Sequence, residues 1–230
     1  MFPTITIIFS IHQNLGKANS DELYNIIEGI KPDVIFEEIP QSSYHFRYVL
    51  RRYRSLENIA IDNYIQMHNI PHIGVDMEDI PKDEYFSEDY RNLYNKIERL
   101  NDHNSIILKE SMEEINKSTT EDGFYFLNSS KSSELYSKVG LALDDGIRKL
   151  NNPNANKIIK EWHNITDHRE NEMINNIYEY AQQNEFNQAV FTIGAYHCNS
   201  LLNKIEQYQK KVNNTLTWNL HNRDDVMITK

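Results

Sequence analysis

Gln188-Ala-Val-Phe-Thr-Ile-Gly194-Ala-Tyr-His197-Cys-Asn-Ser-Leu-Leu-Asn-Lys-Ile205 is the stretch whose reading decides the fold. It opens with a short apolar run of β type, Ala189 to Ile193. Gly194 follows at once, His197 three residues later, and then Leu201, Leu202 and Ile205 at helical spacing. The pattern reads as a buried strand, a turn and the start of a helix. Gly194 permits a backbone turn or a close approach that a Cβ would hinder. His197 then sits at the carboxyl end of a strand, where open α/β sheets place their ligands.

Working outward, the amino-terminal end repeats the theme. Thr4 to Ser10 is a β-branched run followed by the polar loop Ser10-Ile11-His12-Gln13-Asn14. Asn19-Ser20-Asp21-Glu22 offers helix caps, and Leu23, Ile26, Ile27 and Ile30 then recur at helical spacing. Lys31-Pro32-Asp33 ends that helix before a second strand, Val34-Ile35-Phe36, closed by Glu37-Glu38-Ile39-Pro40. A strand, a helix and a strand in this order imply a parallel pair. A helical segment from about Tyr44 to Asn69 leads to a third strand, Pro71 to Asp76, ending in Met77-Glu78-Asp79. Three successive strands therefore end in His12, Glu38, and Asp76 or Glu78.

The middle of the chain reads as helix over 83–118, a Ser/Thr/Asn-rich loop with Gly123 over 118–133 that could cover a site, and helices from Ser133 to Leu150 and Asn154 to Asn184. A helix to about Val212 and a last strand at Leu216 to Leu220 close the pattern, with a polar, frayed tail over 222–230. The expected organisation is one α/β domain over 1–221, with a helical insertion at about 80–150.

The formal charge of −10 argues against nucleic acid as the main partner. No run approaches the ~20 apolar residues that cross a bilayer, so no membrane partner is expected. The first residues have no basic start and no small-residue cleavage site, and read as strand rather than signal peptide. The single cysteine, Cys198, excludes an internal disulfide and fits a cytoplasmic location.

The candidate chemistry lies at the strand ends. A neutral imidazole at His12 or His197 accepts a proton from water or binds a metal. Glu37 and Glu38 are adjacent on a strand and point to opposite faces, so one faces the site. Arg169 offers a planar donor fork suited to an oxyanion or carboxylate, although its charged surroundings, Asp167 to Met173, also read as a solvated helix face. His163 and His168 have poor metal spacing, and Pro71 separates His68 from His72. There is no G-x-S-x-G, H-E-x-x-H, phosphate loop or G-x-G-x-x-G. Cys198 is a conceivable thiol nucleophile, though neighbours in sequence often point apart.

The ordered set of strand and His12, Pro32-Asp33-Val34-Ile35-Phe36-Glu37-Glu38, Asp76, Arg169-Glu170-x-x-Met173 and Gly194-x-x-His197 resembles the TraB/Tiki superfamily, which includes the erythromycin esterases and the ChaN-like haem-binding proteins. The resemblance implies an α/β fold with a small, partly parallel central sheet flanked by long helices, and two related halves. It implies His12, Glu38, Arg169 and His197 as catalytic residues, with His12, Glu38 and His197 as ligands if a divalent metal (Mn, Co or Zn) is bound. Asp76, Glu78 and Tyr196 are the expected substrate contacts. Phe9 departs from the pattern, standing where the family has glycine. The expected function is ester or peptide-bond hydrolysis on a small-molecule or peptide substrate, with substrate choice placed in 80–150. The alternatives are a non-catalytic small-ligand or haem-binding protein, to which the 14 tyrosines would contribute, and a component of a larger assembly, with a homo-oligomer as one form.

Overall fold

The computed structural model describes residues 2–52, 54–79, 84–211 and 216–222. Strands β1 (Thr4–Ser10), β2 (Val34–Pro40), β3 (His72–Asp76), β4 (Gln188–Gly194) and β5 (Thr217–Leu220) form one sheet in the order β3-β2-β4-β1-β5. Every pairing is parallel, so the sheet is wholly rather than partly parallel. The reason is in the connections: each link between successive strands carries a helix, and such a crossover returns the chain in the same direction. The central strands are buried along nearly their whole length, Ile5, Ile7, Ile8 and Phe9 on β1 and Ala189 to Ile193 on β4, as a sheet covered on both faces requires.

Helices α1 (Ser20–Ile30), α2 (Leu56–His68), α3 (Glu84–Glu98), α4 (His103–Leu127), α5 (Ser130–Lys149), α6 (Pro153–Gln183) and α7 (Cys198–Lys211) surround the sheet. Asn19 caps α1 by accepting from the N–H groups of Asp21 and Glu22. No helix among the described residues is long and apolar enough to cross a membrane.

Three expectations need correction. The helix expected over Tyr44–Asn69 is interrupted: a π turn, His45–Val49, is followed by Arg51 at φ 52°, and α2 starts only at Leu56, capped reciprocally by Ser55 and Asn58. The helix expected over 83–118 is two helices, separated at Asn101 (φ 52°), with Asp102 accepting from the N–H of Ser105 to start α4. The loop expected over 118–133 is mostly helix, because its Ser and Asn residues serve as caps, Ser129 for α5 among them. Gly123 bends α4 there at φ 56°, and a Cβ would fall 2.3 Å from a carboxylate oxygen of Glu22. The helix end expected at about Val212 and the polar tail expected past Asn222 lie outside the described residues.

Asn128, between α4 and α5, joins this helical layer to β1. Its amide accepts from the N–H of Phe9 (2.8 Å) and donates to the Phe9 carbonyl (3.0 Å), as a neighbouring strand would.

Candidate functional site

β1 and β4 are neighbours in register, with Ser10 opposite Gly194. From β1 the chain crosses to β2 on one side, and from β4 it crosses to β5 on the other. Such a reversal between adjacent strands opens a crevice at their carboxyl ends. A cavity of about 450 Å³ lies there, lined by His12, Glu37, Glu38, Arg47, Arg54, Glu57, Asp76, Arg169 and Thr192 among others.

Both β2 glutamates line the cavity, where only one was expected to face it, but each has its own set of partners. Glu37 accepts from Tyr48 (2.6 Å) and Asn58, and lies 2.8 Å from His72 Nε2. Glu38 accepts from Arg169 Nη2 (2.6 Å) and from the N–H of Gly194 (2.7 Å), with His197 Nε2 at 3.3 Å. Gly194 has φ −58°, so no left-handed turn is involved, and its contribution is this N–H. Arg169 closes its fork on Asp76, with Nε 3.1 Å from both carboxylate oxygens and Nη2 at 2.7 Å.

His197, in the single 3-10 turn Ala195–His197 after β4, is held on both nitrogens. Nδ1 lies 2.7 Å from Glu170, which in turn accepts from Ser200 (2.6 Å) and Lys204 (2.7 Å). Lys204 also meets Asp167 at 2.7 Å. The result is a string of alternating charge, Asp76, Arg169, Glu38, His197, Glu170, Lys204 and Asp167. Burial opposes charge on His197, but the bonds to Glu170 and Glu38 outweigh it and push the imidazole up to about 9. Burial would raise Glu38; its bond and proximity to His197, then Arg169 and Gly194, hold it well below the usual carboxylate range. Glu170 is lowered in the same way, burial being outweighed by His197, Lys204 and Ser200.

His12 stands differently. Its side chain is 68% exposed, and Nδ1 lies 3.1 Å from Glu57 Oε1 in the first turn of α2. The same oxygen accepts from Ser10 Oγ at 2.6 Å. A carboxylate only accepts, so Nδ1 carries the proton and Nε2 keeps a lone pair in the neutral ring. The bond to Glu57 raises the His12 pKa against the opposing effect of burial. The His12 carbonyl accepts from the N–H of Leu56 (3.1 Å), which seats α2 against the loop.

Three buried polar atoms of residues lining this cavity have no hydrogen-bond partner among the described residues: Arg54 Nε, Glu57 Oε2 and Thr192 Oγ1. Buried polar groups are nearly always paired, by protein, water or ligand.

Of the residues expected from sequence, His12, Glu38, Asp76 and Arg169 meet at the cavity, while His197 stands behind Glu38 and does not line it. Glu78 does not line this cavity; it accepts from the N–H of Ser42 at 3.1 Å. Tyr196 lines a separate cavity of about 490 Å³ with Trp162 and Tyr136. The described residues of 80–150 contribute nothing to the first cavity's lining, whereas α5 lines the second. Cys198 is buried, its Sγ 3.5 Å from Ser133 Oγ, so the thiol is no cavity nucleophile. Sequence reading missed Glu57 and Glu170. Glu57 has a local signal in the cap Ser55-x-x-Asn58; Glu170 was hidden in a charged run that resembles a solvated face.

His12, Glu38 and His197 do not form a divalent metal site. Among the described residues no group of three His, Cys, Asp or Glu is placed to hold a metal ion. The donors explain it: both nitrogens of His197 face carboxylates, and Glu38 and Asp76 are engaged by Arg169. A haem fits no better, because the lining is predominantly charged and Ile39 and Pro40 are its apolar exceptions. Comparison with protein-family models, curated proteins and solved structures returns no match for this chain.

Proposed function

We propose that the chain is a hydrolase of the TraB/Tiki kind, cleaving an ester or peptide bond in a small-molecule or peptide substrate with water activated by His12. The observation that carries this reading is an exposed histidine, oriented by a buried carboxylate, at the mouth of a cavity containing three unpartnered buried polar atoms.

His12 Nε2 takes a proton from water as the water oxygen attacks the carbonyl carbon. Glu57, bonded to Nδ1–H, holds the tautomer and stabilises the imidazolium that forms, as the carboxylate of a catalytic triad does. The tetrahedral intermediate collapses with loss of the alcohol or amine, which receives the proton back from Nε2. His197 is a positioning residue in this scheme. Charged and saturated, it fixes Glu38, which fixes Arg169 and the wall of the cavity.

The test is a panel of ester and amide substrates against wild type, His12→Asn and Glu57→Gln, before and after dialysis with EDTA. Expected are turnover that survives the chelator, near-complete loss in His12→Asn and a large loss in Glu57→Gln. Wild-type turnover equalled by His12→Asn overturns the reading. A binding protein using the same cavity is the second reading, since a bound ligand would also satisfy the three orphaned atoms. Ligand binding without turnover across the panel selects it.

A further inference from the structure

We propose that the molecule bound in this cavity carries an anionic oxygen group, a carboxylate or a phosphate, and that Arg54 recognises it. This names a substrate class for the hydrolase proposed above and rests on that reading.

The argument starts with the segment where the expected helix fails. Arg47, Arg51, Arg52 and Arg54 fall within eight residues of a chain whose formal charge is −10. Two of them, Arg47 and Arg54, line the cavity. Its carboxylates are already committed. Glu38 and Asp76 are held by Arg169, Glu37 by Tyr48, Asn58 and His72, and one oxygen of Glu57 by Ser10 and His12. On the other side, Asp62 alone serves two guanidinium groups, Arg54 at 2.6 Å and Arg51 at 3.4 Å, and also accepts from Gln66. One carboxylate shared by two arginines leaves the Arg54 guanidinium incompletely neutralised.

Arg54 is aimed as well as charged. Nη2 is fixed by Asp62 and by the Asn58 carbonyl (3.2 Å), while Nε is buried and donates to nothing. A guanidinium anchored through Nη2 with its Nε–H unbonded suits an anionic oxygen, whose charge-assisted bond is about twice as strong as a neutral one. Thr192 and Glu57, 1% and 5% exposed, supply the second half of the pattern. Thr192 Oγ1 gives or takes a bond; Glu57 Oε2 only takes one. The ligand therefore pairs its anionic oxygen with a hydroxyl or N–H donor.

The experiment titrates inorganic phosphate and, separately, succinate into the full chain at constant ionic strength, using calorimetry. Wild type and Lys131→Gln, an exposed control away from the cavity, should bind one of the two within threefold of each other. Arg54→Gln should bind at least tenfold more weakly, and Arg54→Lys, which keeps the charge and loses the Nε–H, should also lose affinity. Which anion binds distinguishes phosphate from carboxylate. If the variants do not fold, the Arg54 Nε–H resonance of the wild-type protein should shift on titration. An unmoved resonance, or equal affinity in wild type and Arg54→Gln, overturns the inference. Turnover of anionic esters unaffected by Arg54→Gln ends the inference and leaves the hydrolase. Anion binding with no turnover on any ester or amide ends the hydrolase and leaves the anion subsite.

Discussion

His12 and His197 follow the ends of two adjacent parallel strands, yet the protein makes opposite things of them. His197 is 7% exposed and lies between two carboxylates, so it is an imidazolium at neutral pH. His12 has one carboxylate and an exposed ring. A histidine with both nitrogens engaged cannot accept another proton; one with a free nitrogen can. The number of carboxylates around each ring, rather than its place on the sheet, separates a strut from a base.

The largest expected effect tests that separation directly. General-base catalysis contributes typically about 10²–10⁴-fold, so His12→Ala should lower kcat by that order and leave Tm within about 2 °C. Rate assays and a melting curve on the same preparation check it. If the roles were reversed, His12→Ala would keep its rate.

The converse substitution acts on folding. Glu38 is buried, with charged partners on two sides. Removing one member of a buried ion pair costs about 3–5 kcal/mol because the other charges are left uncompensated. Glu38→Ala should therefore lower Tm by roughly 10 °C for a domain of this size. A melting temperature equal to that of wild type would show the charge string to be dispensable.

The comparison sharpens with pH. The His197 pKa in the folded state, about 9, exceeds the ordinary 6.5, so its stabilisation is full below 6.5 and is lost as pH rises through 9. At 1.36 kcal/mol per unit the difference amounts to about 3 kcal/mol. Glu38 and Glu170 are lowered by the same contacts, so stability present above about 4.5 is lost as pH falls through their depressed values. Urea midpoints between pH 6 and 10 should fall in wild type. The activity profile should behave otherwise, rising with pH through a His12 pKa above 6.5, because only the neutral ring is a base.

What the sequence made legible follows from how local each signal is. β1 and β4 are short apolar runs closed by polar residues, and their ends could be placed without knowing their partners. Arg169 and Glu38 were legible through the family resemblance, and their meeting depends on the topology that brings α6 over the end of β2. Glu170 was not legible, since nothing local distinguishes a buried carboxylate on a helix from a solvated one, and Glu57 had only the neighbouring Ser55-x-x-Asn58 cap as a signal. The segment 44–69 was misread because its residues are compatible with helix. Its break depends on the Ser55–Asn58 cap and on Asn58 reaching Glu37, a contact across 21 positions. Tyr196 misled for the opposite reason: it adjoins His197 in sequence, but successive side chains diverge, and its ring faces the second cavity.

Gly194 gives the smallest and most discriminating prediction. A glycine before the histidine suggested a turn or a close approach that a Cβ would hinder. Its φ of −58° is open to any residue, and a Cβ there would lie 3.4 Å from Glu38 Oε2, an ordinary contact. The N–H that Glu38 accepts survives the substitution. Gly194→Ala should therefore change stability by less than about 1 kcal/mol, since the gain from restricting the unfolded chain offsets slight crowding. Gly123→Ala is the control, because its φ of 56° and the 2.3 Å approach of Glu22 make the same added methyl group intolerable without movement. Equal losses in the two variants would mean that the Glu38 contact at Gly194 is far tighter than its geometry indicates, and that the strut behind the cavity tolerates no displacement at all.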